Sequence, residues 1–166
     1  MSKELLILAD VEGAHAAAAK AYPTWEKVLR DLVPDAISVE HVGATSIEGC
    51  STKGDLDIVV RVHADHFGGA DAALATGLRR NLGSASSAEY SSFVDEGATP
   101  ALGVQLVVAG GAFDFFHTFR DALVARPSLV AEYNKLKTVH AGKPMADYRE
   151  AKAAFVARVL APRPAK

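Results

Sequence analysis

Residues 42–60 read VGATSIEGCSTKGDLDIVV. The stretch leaves one β-branched segment, passes through a connection rich in Gly, Ser and Thr, and enters another. LDIVVRV, residues 56–62, has the run of β-branched residues expected of a central strand packed on both faces. At its start stands the pair Asp55 and Asp57. Residues i and i+2 of a strand point to one face. The two carboxylates are therefore expected side by side, with Leu56 and Ile58 packed on the other side. Like charges a few ångströms apart repel, and a divalent cation between them would remove the conflict. Mg²⁺ is often held by one or two carboxylates plus substrate phosphates. The alternative is a strand that begins with Gly-Asp at the surface, Asp55 capping a turn and Asp57 pairing with a Lys or Arg.

The connection before the pair bears on that choice. Gly43, Ala44, Thr45 and Ser46 are small, and such residues let backbone N–H groups approach an anion closely. Thr45 and Ser46 add hydroxyls. A helix starting near Ser46 would favour the same anion at its N-terminus. The segment thus offers a phosphate cradle followed by a metal holder; the plainer reading is a tight polar link between two strands.

Working outward, Ile37 to Val42 reads as the preceding strand. Upstream, residues 3–33 are Ala-rich and helical in pattern. Pro23 removes a donor and clashes one turn back, so two helices are expected, one to about Ala21 and one over 24–33. Downstream, Asp65 is a candidate cap for a helix over about 66–80. Residues 83–91 read as loop. A hairpin is expected from Tyr90–Val94 and Gly103–Ala109, turning at DEGATP. Helices follow over about 113–125, 127–140 and 146–160, with Pro127 suited to a first turn and Gly142 and Pro144 breaking the chain. The tail APRPAK, 161–166, is expected to fray. The expected fold class is α/β (α+β): a small mixed sheet flanked by helices, with a C-terminal helical segment, in one domain spanning 1–166.

Composition limits the partners. Of 166 residues 49% are hydrophobic and 23% charged, the balance of a chain that buries a core. Formal net charge is −2, so no basic excess points to nucleic acid or an anionic membrane. The apolar runs fall far short of the roughly 20 residues that span a bilayer, and the N-terminus, MSKELLILADVEGAH, has too short an apolar run for a signal peptide and no cleavage-like site. A cytoplasmic location is the expectation. One cysteine, Cys50, neither staples the chain nor forms a Cys-rich metal site. His63 and His66 read as turn histidines, with a metal clip as the alternative.

The order Gly43, then Asp55 and Asp57 on a strand, resembles the nucleotidyltransferase fold of the polymerase-beta superfamily, in which a glycine segment precedes Asp-apolar-Asp/Glu. More narrowly, the chain is similar to the GrpB family of small nucleotidyltransferase-like proteins. VEHVGATSIEG (39–49) is like that family's Glu-His-Val/Ile-Gly-Ser-Thr segment, and FRDAL (119–123) like its Phe-Arg-Asp signature. Pro127, Tyr133, Leu136 and Lys137 match its Pro…Tyr-x-x-Leu-Lys helix; Tyr148, Ala151, Lys152 and Phe155 match its Tyr-x-x-Ala-Lys-x-x-Phe ending. Ala44 departs from the usual Ser. The resemblance implies Mg²⁺ or Mn²⁺ on Asp55 and Asp57, a nucleoside triphosphate as substrate, and a third carboxylate on a later strand. GVQLVVA (103–109) holds none; by parity Gln105 is the polar residue standing there, and a neutral amide is no base.

Supporting roles follow. Lys53, Arg120, Lys137 and Lys152 are candidate phosphate contacts, Arg120 for its forked donors; each has an ion-pair or snorkelling alternative. Alternation lets only one of Glu40 and His41 face the pocket; His41 reads either as a structural hydrogen bond that holds the loop or as a substrate contact. The expected function is transfer of a nucleoside monophosphate to an unknown acceptor. The alternative is a non-catalytic module binding a nucleotide or phosphorylated small molecule. Self-association is left open.

Overall fold

The computed structural model describes residues 4–162. Residues 163–166, most of the expected frayed tail, lie outside them. Two groups of helices enclose a sheet: α1 (Val11–Leu32) and α2 (Phe67–Gly77) on one face, and α3 (Phe116–Ala125), α4 (Pro127–His140) and α5 (Met145–Leu160) on the other side. The strands are β1 (Ser38–Val42), β2 (Leu56–Val62), β3 (Arg79–Arg80), β4 (Tyr90–Asp95) and β5 (Leu102–Val108). Their order is β1-β2-β5-β4-β3. Only β2 and β5 run parallel; the other pairings are antiparallel. The mixed sheet with flanking helices is the architecture the sequence leads one to expect. Among the described residues no helix is long and apolar enough to cross a membrane.

Four helix expectations are corrected. Asp10 accepts a hydrogen bond from Gly13 N at 2.8 Å and caps a single helix that runs through Pro23. An interior proline costs ~3 kcal/mol. Buried Ala18 and Leu29, with Tyr22, Trp25 and Leu32 packed beside them on the sheet, hold both halves in line; each large side chain buried contributes roughly 1.5–3 kcal/mol. The described residues 4–9 form no helix, and Leu5 bridges Pro144. The second helix ends at Gly77, not near residue 80, because Arg79 and Arg80 pair with Val94 and Phe93 as β3. Arg80 also grips Asp71 with two hydrogen bonds of 2.8 and 2.6 Å. Asp65 caps nothing: it sits within a 3-10 turn, Ala64–His66, that has no side-chain cap.

Parity in the register divides the sheet. Val39, Ile58, Val60, Val104 and Leu106 turn toward α1 and α2 and form the main core. Glu40, Val42, Asp57, Val59, Gly103, Gln105 and Tyr90 share the opposite face. There Val42, Val59, Tyr90 and Val107 pack against Phe113 and Phe116, while α3–α5 build a second core on Tyr133, Leu123 and Phe155. A cavity lies where these two clusters fail to meet.

Candidate functional site

The cavity has a volume of about 260 Å³. Its floor is the end of β2 and β5: Asp57, Gln105 and the preceding Asp55, with Val42, Gly43 and Ala44 beside them. Its walls are Phe115, Phe116 and Phe119 from the α3 side, Tyr133 and Lys137 from α4, and Leu6 and Leu8 from the N-terminal segment. From α5 come Met145, Tyr148, Arg149, Lys152 and Val156, at spacings that put them on one helical face.

Asp57 is the centre of this arrangement. It pairs across the sheet with Val42 on one side and Gly103 on the other. A Cβ on Gly43 would lie 2.5 Å from Asp57 Oδ2, and one on Gly103 would lie 2.7 Å from Oδ1. The carboxylate therefore fits only because both neighbours are glycine. Gly43 also holds φ at +75°, where side chains are disfavoured. Burial pushes the Asp57 carboxyl up to about 6; Lys152 opposes the rise and Asp55 adds to it. No described residue donates a hydrogen bond to it. Asp55, just outside the strand, is paired with Lys53 at 3.4 Å.

Gln105 stands where parity put it, beside Asp57 on the floor. Tyr90 donates its hydroxyl to Gln105 Oε1 at 2.5 Å, and Tyr90 is itself stacked on Phe113. With the oxygen engaged, the amide nitrogen lies on the side toward Gly103 and Asp57. The residue presents donors to the cavity, suited to an anion.

Three lysines reach the cavity by different routes. Lys53 is exposed at the mouth. Lys152 is exposed too, yet the surrounding protein lowers its pKa, with Asp57 opposing that effect. Lys137 is buried, only 3% exposed. It donates to the Ser51 carbonyl, lies 3.5 Å from Cys50 Sγ and sits 3.9 Å from the centre of the Tyr133 ring. Burial brings its pKa down to about 8, while Cys50, also buried, is a thiol whose pKa is raised.

The remaining residues singled out in the sequence stand behind the loop and do not line the cavity. Thr45 is buried and gives its proton to the Asp55 carbonyl at 3.1 Å. His41 must then donate from Nε2 to Thr45 Oγ1 at 2.9 Å. Burial lowers the His41 pKa to about 4, so the ring is neutral, and it stacks on Tyr22 on the α1 side of the sheet. Ser46 donates to the Gly43 carbonyl at 2.6 Å. The 3-10 turn Ala44–Ser46 is too short to supply a helix N-terminus. Of the two residues before the loop, Glu40 takes the cavity-side parity, but Arg120 occupies it at 3.0 Å and also donates to the His41 carbonyl at 3.0 Å. Burial raises the Glu40 carboxyl, and the hydrogen bonds from Arg120 and Ser38 carry it below its usual value. Arg120 thus spans α3 and β1 and is not directed at a ligand.

Sequence reasoning missed Gly103, whose lack of a side chain gives no signal until its strand partner is known. It also missed Asn134, which accepts from Ser51 N at 2.7 Å and donates to the Gly49 carbonyl at 2.9 Å. With Lys137 one turn on, α4 clamps the loop between the glycine and the acids. Arg149 carried a readable signal, being three residues before Lys152; it lines the cavity while paired with Glu4 at 3.1 Å.

A mixed α/β domain with one face of its sheet kept for core and the other opened over a recessed carboxylate is the class these observations define. The chain belongs to the GrpB family: the family profile described as "GrpB protein" matches residues 10–162. It is 36% identical over 140 residues to a UPF0157 protein of Vibrio cholerae, an alignment covering 84% of this chain and 73% of that one. Its fold is similar to the crystal structure of a GrpB protein from Enterococcus faecalis, with a TM-score of 0.65 over 86% of this chain and 90% of the other. At 17% identity that likeness concerns the fold alone.

Proposed function

We propose that the cavity binds a nucleoside triphosphate with Mg²⁺ or Mn²⁺ and that the protein transfers the nucleoside monophosphate to an acceptor, releasing pyrophosphate. The observation that carries this reading is Asp57: a carboxylate with no described hydrogen-bond donor, held between Gly43 and Gly103 on a cavity floor. The donor set fits a divalent ion that completes its shell elsewhere. Asp57 and Asp55 supply oxygens, and no cluster of three His, Cys, Asp or Glu side chains exists among the described residues. Mg²⁺ with few protein ligands takes the rest from phosphate and water. When bound, it would neutralise phosphate charge during displacement at the α-phosphorus. Lys53 and Lys152 at the mouth, and the Gln105 amide on the floor, would meet phosphate oxygens. The aromatic walls suit a base or another flat apolar group.

The test is calorimetric titration with the four ribonucleoside triphosphates, with and without Mg²⁺, on the wild type and on Asp57→Asn. Binding that needs Mg²⁺ and disappears in the variant is the expected result. Binding unchanged by the substitution would overturn the reading. Gln105 favours a second reading on the same cavity. An amide stands where a third carboxylate would act as base, which suits a module that binds a nucleotide or phosphorylated metabolite without turning it over. Sustained, Asp57-dependent product formation would exclude it.

A further inference from the structure

Lys137 is not placed like a phosphate-binding surface lysine. It rises from the third turn of α4 into the cavity and is 3% exposed. Its partners are a backbone carbonyl, the face of Tyr133 and a thiol sulfur. Among the described residues no carboxylate pairs with it. The carbonyl and the ring face favour its ammonium form while burial opposes it, and with no carboxylate to hold the charge a desolvated lysine in an apolar site is a recognised form of activated nucleophile. No described histidine lines the cavity to act as base for an incoming hydroxyl: Gln105 is neutral, Asp55 and Asp57 are assigned to the metal and Lys152 to phosphate in the reading above, and His41 is on the far side of the sheet. An amine needs no separate base to attack.

We propose that Lys137 takes the nucleotidyl group first, forming a covalent lysyl-nucleotide that then passes to a hydroxyl acceptor or to water. This rests on the nucleotide reading above and deepens it. The lone pair of neutral Lys137 Nζ forms a bond to the α-phosphorus. The bond from that phosphorus to the bridging oxygen breaks, and pyrophosphate leaves with the electron pair. One amine proton goes to solvent, giving a phosphoramidate. In the second half a hydroxyl oxygen attacks phosphorus, the N–P bond breaks, and Nζ departs as the amine, taking up the proton that the hydroxyl loses. Asn134 serves as a positioning residue, since its two hydrogen bonds fix the turn that carries Cys50 and Ser51 against the amine.

Titration of the amine is governed by the groups around it. Burial lowers its pKa to about 8; Cys50 and Asp57 raise it and Lys152 lowers it. Tyr133 and Tyr148 hydroxyls lie 3.3 Å from each other beside it and stay protonated. The reactive neutral form therefore grows as pH climbs through about 8.

The experiment incubates the full-length protein with each nucleoside triphosphate and Mg²⁺ or Mn²⁺, without acceptor. It reads intact mass, peptide mapping, and exchange of labelled pyrophosphate into the triphosphate. The expected result is a gain of one nucleoside monophosphate less water on Lys137, labile in acid, forming faster as pH passes about 8, with acceptor-free exchange. Lys137→Arg and the uncharged Lys137→Met both lose adduct and exchange while still binding nucleotide in calorimetry, and Lys135→Ala, an exposed lysine of the same helix away from the cavity, keeps the adduct. Turnover with neither adduct nor exchange, an adduct mapped elsewhere, or full activity in Lys137→Arg would overturn the covalent route and leave the nucleotide reading standing. Absence of nucleotide binding in the wild type would overturn both.

Discussion

The two faces of the sheet are built from the same strands by opposite rules. Toward α1 and α2, Ile58, Val60, Val104 and Leu106 are fully buried and purely apolar. On the other face the neighbouring positions of β2 and β5 are Asp57, Arg61, Gly103 and Gln105. The first face gains from area removed from water. The second gives up packing to hold a recessed carboxylate over a cavity, and the polar residues beside it on the sheet are held by partners. Arg61 grips Asp114 through two 2.7 Å hydrogen bonds, Tyr90 orients Gln105, and Arg120 ties Glu40. Core and cavity are thus separated by one residue of register, since a shift of one would exchange the faces.

The largest break in that separation is expected on the apolar face. Ile58→Ala should destabilise the fold by about 2–5 kcal/mol, measured by urea unfolding. A loss below about 1 kcal/mol would mean the face is not the dominant core. Next, Gly43→Ala should cost about 1–3 kcal/mol, because it combines a positive φ with a Cβ driven into Asp57. It should also abolish any Mg²⁺-dependent nucleotide binding; normal binding by this variant would show that the slot around Asp57 is dispensable.

Asp57→Asn should act in the reverse sense on stability. The ionised native carboxylate is disfavoured by burial, so the variant without ligand should be more stable at pH 7, by up to about 3 kcal/mol, while losing binding. A destabilised variant would argue that Asp57 is structurally paired. The smallest effect is in the pH profile. The native pKa of Asp57 is raised to about 6 from 3.8, so its contribution to stability falls as pH rises between those values. The native pKa of His41 is lowered to about 4 from 6.5; the unfolded chain binds its proton more readily, so that contribution rises with pH over 4 to 6.5. The two oppose each other in the wild type. Asp57→Asn should leave the His41 climb exposed, seen as a midpoint that rises across this range. A profile with the same shape as the wild type would break the assignment.

Much of this was legible along the chain. β-branched runs marked β2 and β5, the alternation of Gln105 with Val104 and Leu106 gave its face, and Pro127 marked the start of α4 where the structure has it. These are local signals, set by pleat and by proline's fixed geometry. Pro23 misled because a local penalty was outweighed by packing along the whole helix. Arg79 and Arg80 misled because a two-residue edge strand is defined by its partner alone. Thr45, Ser46 and Arg120 looked like phosphate ligands by type, yet each is hydrogen-bonded within the framework of the loop and β1.

By itself the sequence determined the family, the mixed α/β class and the presence of a carboxylate pair at the entry to a buried strand. Those follow from residue order, period and composition, which are fixed before any contact forms. Only the tertiary structure decided which polar groups remain free. Asp57 is open because two glycines distant in sequence meet it across the sheet. Lys137 is buried beside Cys50 because α4 packs on a loop more than eighty residues earlier. Hydrogen-bond partners and desolvation depend on the neighbours in space, and sequence spacing does not supply them.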